Sequence, residues 1–162
     1  MTQLAKARLL ALLTPALLLA GAYGSQIWGG LFPCEMCWWQ RYAHFAALAL
    51  AVLAFVAART PSASRALTVL AALAILVSGG IGVFHAGVEY HWWEGVTTCS
   101  TNGSLGSGSH ADMLRSLMAT PLIRCDQAQW TLFHVSLAGW NALFSITAAI
   151  LVLWLIAKPS TR

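Results

Sequence analysis

The chain has 162 residues, of which 59% are hydrophobic and only 9% are charged. Soluble domains carry roughly 25% charged residues, so this composition, with a mean hydropathy of +0.70, excludes an ordinary soluble protein. The net charge of +4 does not indicate nucleic acid binding, because six of the nine basic residues lie at the ends of apolar segments. The composition therefore predicts an integral membrane protein.

Four long charge-free stretches follow one another along the chain. One crossing of a bilayer as a helix needs about 20 largely apolar residues. The predicted fold class is therefore an all-α bundle of four transmembrane helices, forming one domain over residues 1–162. We place the spans at about residues 9–30, 38–58, 66–87 and 132–157, with outer loops at about 31–37 and 88–131.

The distribution of basic residues predicts which side each loop faces. They cluster before the first span, in the turn between the second and third spans, and after the last span: Lys6, Arg8, Arg59, Arg65, Lys158 and Arg162. Because positive residues stay in the cytoplasm, we expect both termini to be cytoplasmic. The N-terminal segment also has features of a cleavable signal peptide. Its apolar run continues through Phe32 without a polar break, however, so we expect a retained span.

All four cysteines then lie on the outer side, where an oxidising environment lets disulfides persist. Adjacency favours a Cys34–Cys37 pair and leaves Cys99 with Cys125. The spacing between the two pairs is poor for a zinc site, so no metal is predicted.

Residues 33–41 read Pro-Cys-Glu-Met-Cys-Trp-Trp-Gln-Arg and lie at the start of the second span. Proline suits the first position of a helix, so we predict a helix that begins at Pro33. Both Cys34 and Cys37 would then lie in its first turn, where the helix dipole stabilises a thiolate. Arg41 follows Cys37 by one turn on the same face. This pattern favours reactive cysteines over inert ones.

An arginine inside a span is energetically costly and is often functional, so Arg41 needs an explanation. Two interpretations are open. Its side chain can extend to the lipid headgroups. Alternatively, it can act as an electrophilic partner for a bound carbonyl oxygen beside the thiolate of Cys37.

Cys99 and Cys125 also allow two interpretations, a structural disulfide or one that takes part in exchange. The segment 102–109 between them is rich in glycine and serine, and such a composition predicts a mobile linker. A short amphipathic helix is predicted at 110–119, lying on the membrane surface.

Three histidines, His44, His85 and His134, lie in or near spans. Two of them could ligate a b-type haem, and we expect His44 and His85 to be close enough to do so. The other interpretation is hydrogen bonding to neighbouring helices.

Several motifs together resemble the DsbB family, the bacterial inner-membrane disulfide bond formation proteins. They are the Pro-Cys-x-x-Cys-x-x-Gln-Arg segment, the second cysteine pair, and Cys125 followed by Trp130 and by Ser-Leu-Ala-Gly-Trp-Asn at 136–141. The resemblance covers nearly the whole chain. Two positions depart from it, since Met36 stands where leucine is common and His134 where glycine is expected.

The resemblance implies a role for each of the four catalytic cysteines. Cys99 would be attacked by a reduced periplasmic partner, a thioredoxin-fold oxidase similar to DsbA. The reduced Cys99/Cys125 pair would then be reoxidised by Cys34–Cys37. Cys37 would pass the electrons to ubiquinone, or to menaquinone, from the membrane pool.

The resemblance implies that Cys37 and Arg41 bind the quinone, and Arg41 would stabilise negative charge on a quinone oxygen. His44 follows them on the same helical face and is predicted as a third quinone-binding residue. Two other functions remain open: a haem-binding membrane electron carrier, and a membrane structural or interaction protein with inert disulfides.

Overall fold

The computed structural model describes residues 2–96 and 124–158. Within these ranges the elements are α1 (Gln3–Ile27), α2 (Glu35–Val56), a 3₁₀ turn (Ala57–Arg59), α3 (Pro61–Glu89), β1 (Thr131–Leu132), β2 (Val135–Ser136) and α4 (Leu137–Ala157). Cys99, the linker 102–109 and the helix predicted at 110–119 lie outside the described residues.

All four long helices are apolar enough and long enough to cross a membrane. Large apolar side chains cover their outer surfaces, including Leu17, Val56 and Ile150. A soluble protein would bury such side chains, whereas a bilayer solvates them. The predicted four-helix membrane bundle is confirmed.

The helices extend past four of the eight predicted span ends and stop short of three others. α1 includes Lys6 and Arg8, and α3 runs from Pro61 to Glu89. The span prediction used only charge-free stretches. A helix can continue beyond such a stretch to the membrane surface, where charged residues are solvated.

Small residues on α3 let α4 approach it closely. A Cβ atom added to Gly82 would lie 2.9 Å from the carbonyl oxygen of Ala138, and one added to Gly79 would lie 2.8 Å from Cγ1 of Ile146. Membrane helices associate through such close contacts, because lipid provides no hydrophobic driving force between them.

α2 begins at Glu35, and the predicted start at Pro33 is wrong. Cys34 is the N-cap residue, with an extended backbone at φ −79° and ψ 176°, and its sulfur accepts a hydrogen bond from the amide of Cys37. The cap therefore takes the place of a helical residue, and only Cys37 lies in the first turn.

A two-stranded hairpin precedes α4, where the sequence predicted the start of the last span. β1 and β2 pair antiparallel, with Leu132 opposite Val135. The two turn residues, Phe133 and His134, have φ values of 51° and 62°. This left-handed backbone fits the twist of a tight hairpin and favours glycine or asparagine, which accounts for the glycine expected at His134.

Tyr90 joins this hairpin to the end of α3. Its hydroxyl donates to the carbonyl oxygen of His134 at 2.8 Å and accepts from the amide of Ser136 at 2.9 Å. The start of α4 is therefore fixed relative to the end of α3, where the cysteine site lies.

Replacement of Gly82 by alanine is expected to lower the free energy of unfolding by about 1–3 kcal/mol, because the new methyl group overpacks the contact with α4. Gly80→Ala is the matched control, since a Cβ atom at Gly80 meets nothing within 4 Å. Thermal unfolding in mild detergent measures both variants. Equal melting temperatures for the two variants would contradict the close approach of α3 and α4.

His134→Gly is expected to stabilise the protein by about 1 kcal/mol, because glycine adopts the left-handed backbone without steric cost. His134→Ala retains the unfavourable backbone and serves as the control. The same melting experiment compares them. A His134→Gly protein no more stable than His134→Ala would contradict the backbone cost, because neither variant retains the His134 side chain.

Candidate active site

Sulfur atoms from both outer segments meet at the start of α2. The Sγ atom of Cys34 lies 2.9 Å from that of Cys37, and the side chain of Cys34 is also hydrogen-bonded to that of Cys125. Cys34 and Cys125 are 3% and 0% exposed and pack against Met36 and Val88. Three of the four predicted catalytic cysteines therefore form one group, in which Cys34 lies between the other two and both Cys34 and Cys125 are buried.

The hydrogen bond with Cys125 raises the pKa of the Cys34 thiol, and the bond with Cys37 and burial raise it further. These effects favour the protonated form, since each stabilises the thiol or penalises the charge of a thiolate. In the reduced protein Cys34 is therefore a neutral thiol at physiological pH.

Two contacts hold Cys125 beside Cys34. Arg124 donates two hydrogen bonds to the carboxylate of Asp126, at 2.9 and 2.6 Å, and so closes a tight turn around Cys125. The Arg124 guanidinium lowers the pKa of Asp126, so this pair remains charged at neutral pH. The side-chain amide of Gln129 donates to the carbonyl oxygen of Phe32 at 2.7 Å and joins the second outer loop to the first.

His85 lies against the same sulfur group. Its Nε2 atom is 3.5 Å from the Sγ atom of Cys34 and 3.7 Å from Oε1 of Glu89. The ring also interacts with the backbone of Cys125. Sequence reasoning gave His85 no part in the cysteine chemistry, because it is distant from Cys34 along the chain. Its only sequence signal was a polar residue within an apolar helix.

A side-chain amide on α2 determines which nitrogen of His85 carries the proton. Gln40 Nε2 lies 3.2 Å from the carbonyl oxygen of Met36 and 3.0 Å from Nδ1 of His85. A backbone carbonyl only accepts hydrogen bonds, so the NH₂ group of Gln40 must face it. His85 therefore accepts at Nδ1 and, as a neutral ring, donates through Nε2 toward Cys34 and Glu89.

The donor atoms of Cys34, Cys37 and His85 lie within 4.8 Å of one another, a grouping that can hold a metal ion. The cysteine spacing did not predict this grouping. A metal ligand must offer a free lone pair, however, and the hydrogen bond to Gln40 leaves the proton on Nε2 of His85. In this arrangement His85 is a donor to Cys34.

A second amide, Asn141 on α4, continues the network. Its Nδ2 atom donates to Oε1 of Gln40 at 2.7 Å and to the carbonyl oxygen of Ser78 at 3.2 Å. Its Oδ1 atom lies 2.8 Å from Nε2 of His44 and accepts from Ser145 at 3.1 Å. Three helices are thereby connected by hydrogen bonds inside the bundle.

His44 and His85 each bind a different amide, so the geometry does not support the haem interpretation for this pair. Hydrogen bonding between helices, the other interpretation, describes both residues. The sequence did not predict roles for Gln40 and Asn141, although Gln40 lies in the segment 33–41 and Asn141 in the segment 136–141.

Arg41 is only 6% exposed. Its guanidinium donates to Oε1 of Gln26 at 2.7 Å and to the carbonyl oxygen of Ala22 at 3.1 Å. The rings of Tyr23 and Trp38 lie 4.6 and 5.1 Å from it. The interpretation in which Arg41 extends to the lipid headgroups is wrong, because its charge is held inside the protein against α1.

An apolar cavity of about 430 Å³ lies beside these residues. Its wall is mostly apolar and includes leucine, phenylalanine and tryptophan side chains, and the polar groups on it include Cys37, Arg41, His44 and His85. Small-molecule sites typically combine an apolar wall with a few placed polar groups and have volumes of roughly 300–1,000 Å³.

Residues 5–155 match the family model described as disulfide bond formation protein DsbB. The chain belongs to the DsbB family. Comparisons with curated proteins and with solved structures give no match. The match confirms the resemblance seen in the sequence. It makes the chain a multi-pass oxidoreductase of the inner membrane that acts in disulfide bond formation.

Members of the DsbB family use quinone as an electron acceptor, and the residues of the cavity fit such a ligand. The apolar wall suits a ring with an isoprenoid tail. Arg41 brings a buried cation, and Nδ1 of His44 is a buried nitrogen with no hydrogen-bond partner among the described residues. Cys37 lies on the same wall.

Alkylation of the fully reduced protein at about pH 8 is expected to label Cys37 at least about tenfold faster than Cys34, because only the thiolate reacts and the raised pKa of Cys34 keeps it protonated. The difference should narrow as the pH rises, because more of Cys34 then ionises. Mass spectrometry of labelled peptides over a time course gives both rates, and unfolded protein is the control. Equal rates in the folded protein would contradict the assignment of Cys34 as a neutral thiol.

Proposed function

We propose that the chain reoxidises a periplasmic DsbA-like thioredoxin-fold oxidase and passes its electrons through Cys99/Cys125 and Cys34/Cys37 to a membrane quinone. The observation that supports this route is the sulfur group, in which the Cys34 side chain contacts both Cys125 and Cys37. A disulfide can move between neighbouring sulfurs only by direct attack of one on another. The role of Cys99 rests on the family resemblance.

In the first exchange a thiolate of the reduced partner attacks Cys99 in a Cys99–Cys125 disulfide. Cys125 leaves as a thiolate, and a mixed disulfide joins the partner to Cys99. The partner's second thiol then loses its proton and attacks the partner's first sulfur in the mixed disulfide. This step releases Cys99 as a thiolate. The partner leaves oxidised, and Cys99 and Cys125 now hold two electrons.

In the second exchange the Cys125 thiolate attacks Cys34 in a Cys34–Cys37 disulfide, and Cys37 leaves as a thiolate. Cys99 then attacks Cys125 and releases Cys34, which takes up a proton. The contact between Cys34 and Cys125 supports this order. The two electrons now reside on Cys34 and Cys37, and the Cys99–Cys125 disulfide is restored.

The position of Cys37 suits it as the leaving group. It lies in the first turn of α2, where the positive end of the helix dipole stabilises a thiolate. Cys37 also lines the apolar cavity, so its sulfur connects the thiol exchange to the proposed quinone site.

A bound quinone supplies an acceptor for two electrons and two protons. Cys37, Arg41 and His44 would hold it, and we propose ubiquinone, with menaquinone as an alternative that has the same ring carbonyl groups. Arg41 would stabilise negative charge on a carbonyl oxygen. Its hydrogen bonds to α1 fix the guanidinium in advance, so no reorganisation is needed when that charge develops.

The proposal also requires a particular orientation in the membrane. Both termini would be cytoplasmic, and the four cysteines would face the periplasm, where the partner oxidase is found. The basic residues at the opposite end of the bundle support this orientation.

Purified protein with ubiquinone and a reduced DsbA-like oxidase is expected to consume quinone, followed by its absorbance. Cys37→Ala and Cys99→Ala should each lower this rate to the level without protein, because each removes one end of the relay. Gly80→Ala, whose position faces open space, is the control for a change that spares the site. Quinone reduction by Cys37→Ala at the parent rate would contradict the proposed route. No reduction by the parent, with unreactive cysteines, would favour a structural role for the disulfides.

A further inference from the structure

We infer that His85 is a positioning residue that holds Cys125 against Cys34 and so directs the attack of Cys125 to Cys34 rather than to Cys37. The inference rests on the proposed order of thiol exchange and assigns the choice of sulfur to one side chain of α3. It is carried by the contacts of the His85 ring with both members of the reacting pair.

The choice of sulfur decides where the electrons go. A Cys34–Cys37 disulfide offers two sulfur atoms only about 2 Å apart to an attacking thiolate. Attack on Cys34 releases Cys37, the sulfur in the first turn of α2. Attack on Cys37 would release Cys34 and keep Cys37 in the new disulfide, where it could not pass electrons to a ligand. A contact that fixes the position of Cys125 to within a bond length is therefore required.

The ring of His85 contacts both cysteines of the proposed new bond. Its Nε2 atom lies 3.5 Å from Sγ of Cys34, and the ring is hydrogen-bonded to the backbone of Cys125. His85 is 3% exposed and Cys125 is 0% exposed. The contact therefore lies in the interior, where a hydrogen bond is electrostatically stronger than in water.

The direction of the bond to Cys125 follows from the proton on the ring. Nδ1 of His85 already accepts from Gln40, so Nε2 carries the hydrogen and can only donate. The one backbone group of Cys125 that accepts is its carbonyl oxygen. Oε1 of Glu89 lies 3.7 Å from Nε2, which is long for a hydrogen bond. The N–H group of His85 is thus available to the backbone of Cys125.

The other contacts of the Cys125 segment do not determine which sulfur Cys125 meets. The ion pair of Arg124 and Asp126 is exposed and internal to the segment, so it shapes the segment without attaching it to a helix. The bond from Gln129 to the first outer loop is also exposed and lies four residues from Cys125. Apolar packing around Cys125 is non-directional. The bond to His85 is buried, directional and made by Cys125 itself.

The step that His85 directs is an isomerisation of one disulfide. The Cys125 thiolate attacks Sγ of Cys34, the Cys34–Cys125 bond forms, and the Cys34–Cys37 bond breaks. Cys37 leaves with the electron pair as a thiolate. The protein neither gains nor loses electrons, so the step needs no oxidant, and its equilibrium constant reports how well Cys125 is held at Cys34.

The experiment uses the full chain in detergent with Cys99→Ser and without quinone, so that three cysteines share one disulfide. The reduced protein is oxidised with oxidised glutathione, separated from it, equilibrated and trapped by alkylation in denaturant. Mass spectrometry of the peptides then gives the amount of each of the three possible disulfides. The quantity compared is the ratio of the Cys34–Cys125 form to the other two forms together.

Two substitutions separate positioning from a structural role in the Gln40 network. His85→Asn places an amide oxygen near the Nδ1 position, where it accepts from Gln40, but leaves no donor near the Nε2 position. His85→Gln places an amide N–H near the Nε2 position and leaves no acceptor near Nδ1. We expect His85→Asn to lower the ratio by about two- to tenfold, the range for one hydrogen bond, and His85→Gln to keep it at the parent value.

A ratio at the parent value in His85→Asn, or a loss in His85→Gln as large as that in His85→Asn, would overturn the inference. Either result would leave the proposed route standing, because the parent protein still forms the Cys34–Cys125 disulfide. A parent protein that forms no Cys34–Cys125 disulfide would overturn the proposed order of exchange itself, and the inference with it.

Discussion

The hydrogen bond between the side-chain amides of Gln40 and Asn141, at 2.7 Å across α2 and α4, organises the interior of this bundle. Each amide is oriented by a backbone carbonyl, and each in turn orients a histidine. One histidine, His85, lies against the sulfur of Cys34, and the other, His44, lines the apolar cavity. The redox site and the ligand site are thus two ends of one polar network. In a low-dielectric interior such a network is strong only when its members are satisfied together.

Burial of a polar group costs desolvation free energy unless the group is hydrogen-bonded. In this fold most of the buried polar groups lie around the cysteines and the cavity. The contacts of Gly79 and Gly82 with α4 bring the two helix backbones close together, and Asn141 can then reach the carbonyl oxygen of Ser78. Arg41 is compensated in the same way by α1, through Gln26 and Ala22. Asn141 and Arg41 are therefore each compensated by a partner on another helix, which ties the geometry of the site to the assembly of the bundle.

The sequence predicted the features that depend on local composition. Charge-free stretches predicted four spans, the Cys-x-x-Cys pair predicted neighbouring sulfurs, and the cost of a charge inside a span drew attention to Arg41. The start of α2 was misplaced because a cysteine side chain serves as its cap. The hairpin before α4 was not predicted, since its turn uses Phe133 and His134 in place of glycine.

Contacts between distant segments could not be predicted from the pattern. His85 meets Cys34 across 51 positions of sequence, and the link from Gln129 to Phe32 spans 97. Such contacts depend on how helices and loops pack, which no local pattern encodes. The linker and the surface helix between Cys99 and Cys125 remain predictions.

The wall of the cavity also determines how a ligand arrives. Leu17 of α1 and Phe144 of α4 line it, and these side chains are 67% and 52% exposed on the outer surface of the bundle, where acyl chains would lie in a membrane. A lipid-soluble ligand can therefore enter sideways from the bilayer without crossing water. Occupancy then depends on the mole fraction of the ligand among the lipids. A weak intrinsic affinity is sufficient for a compound that the membrane itself concentrates.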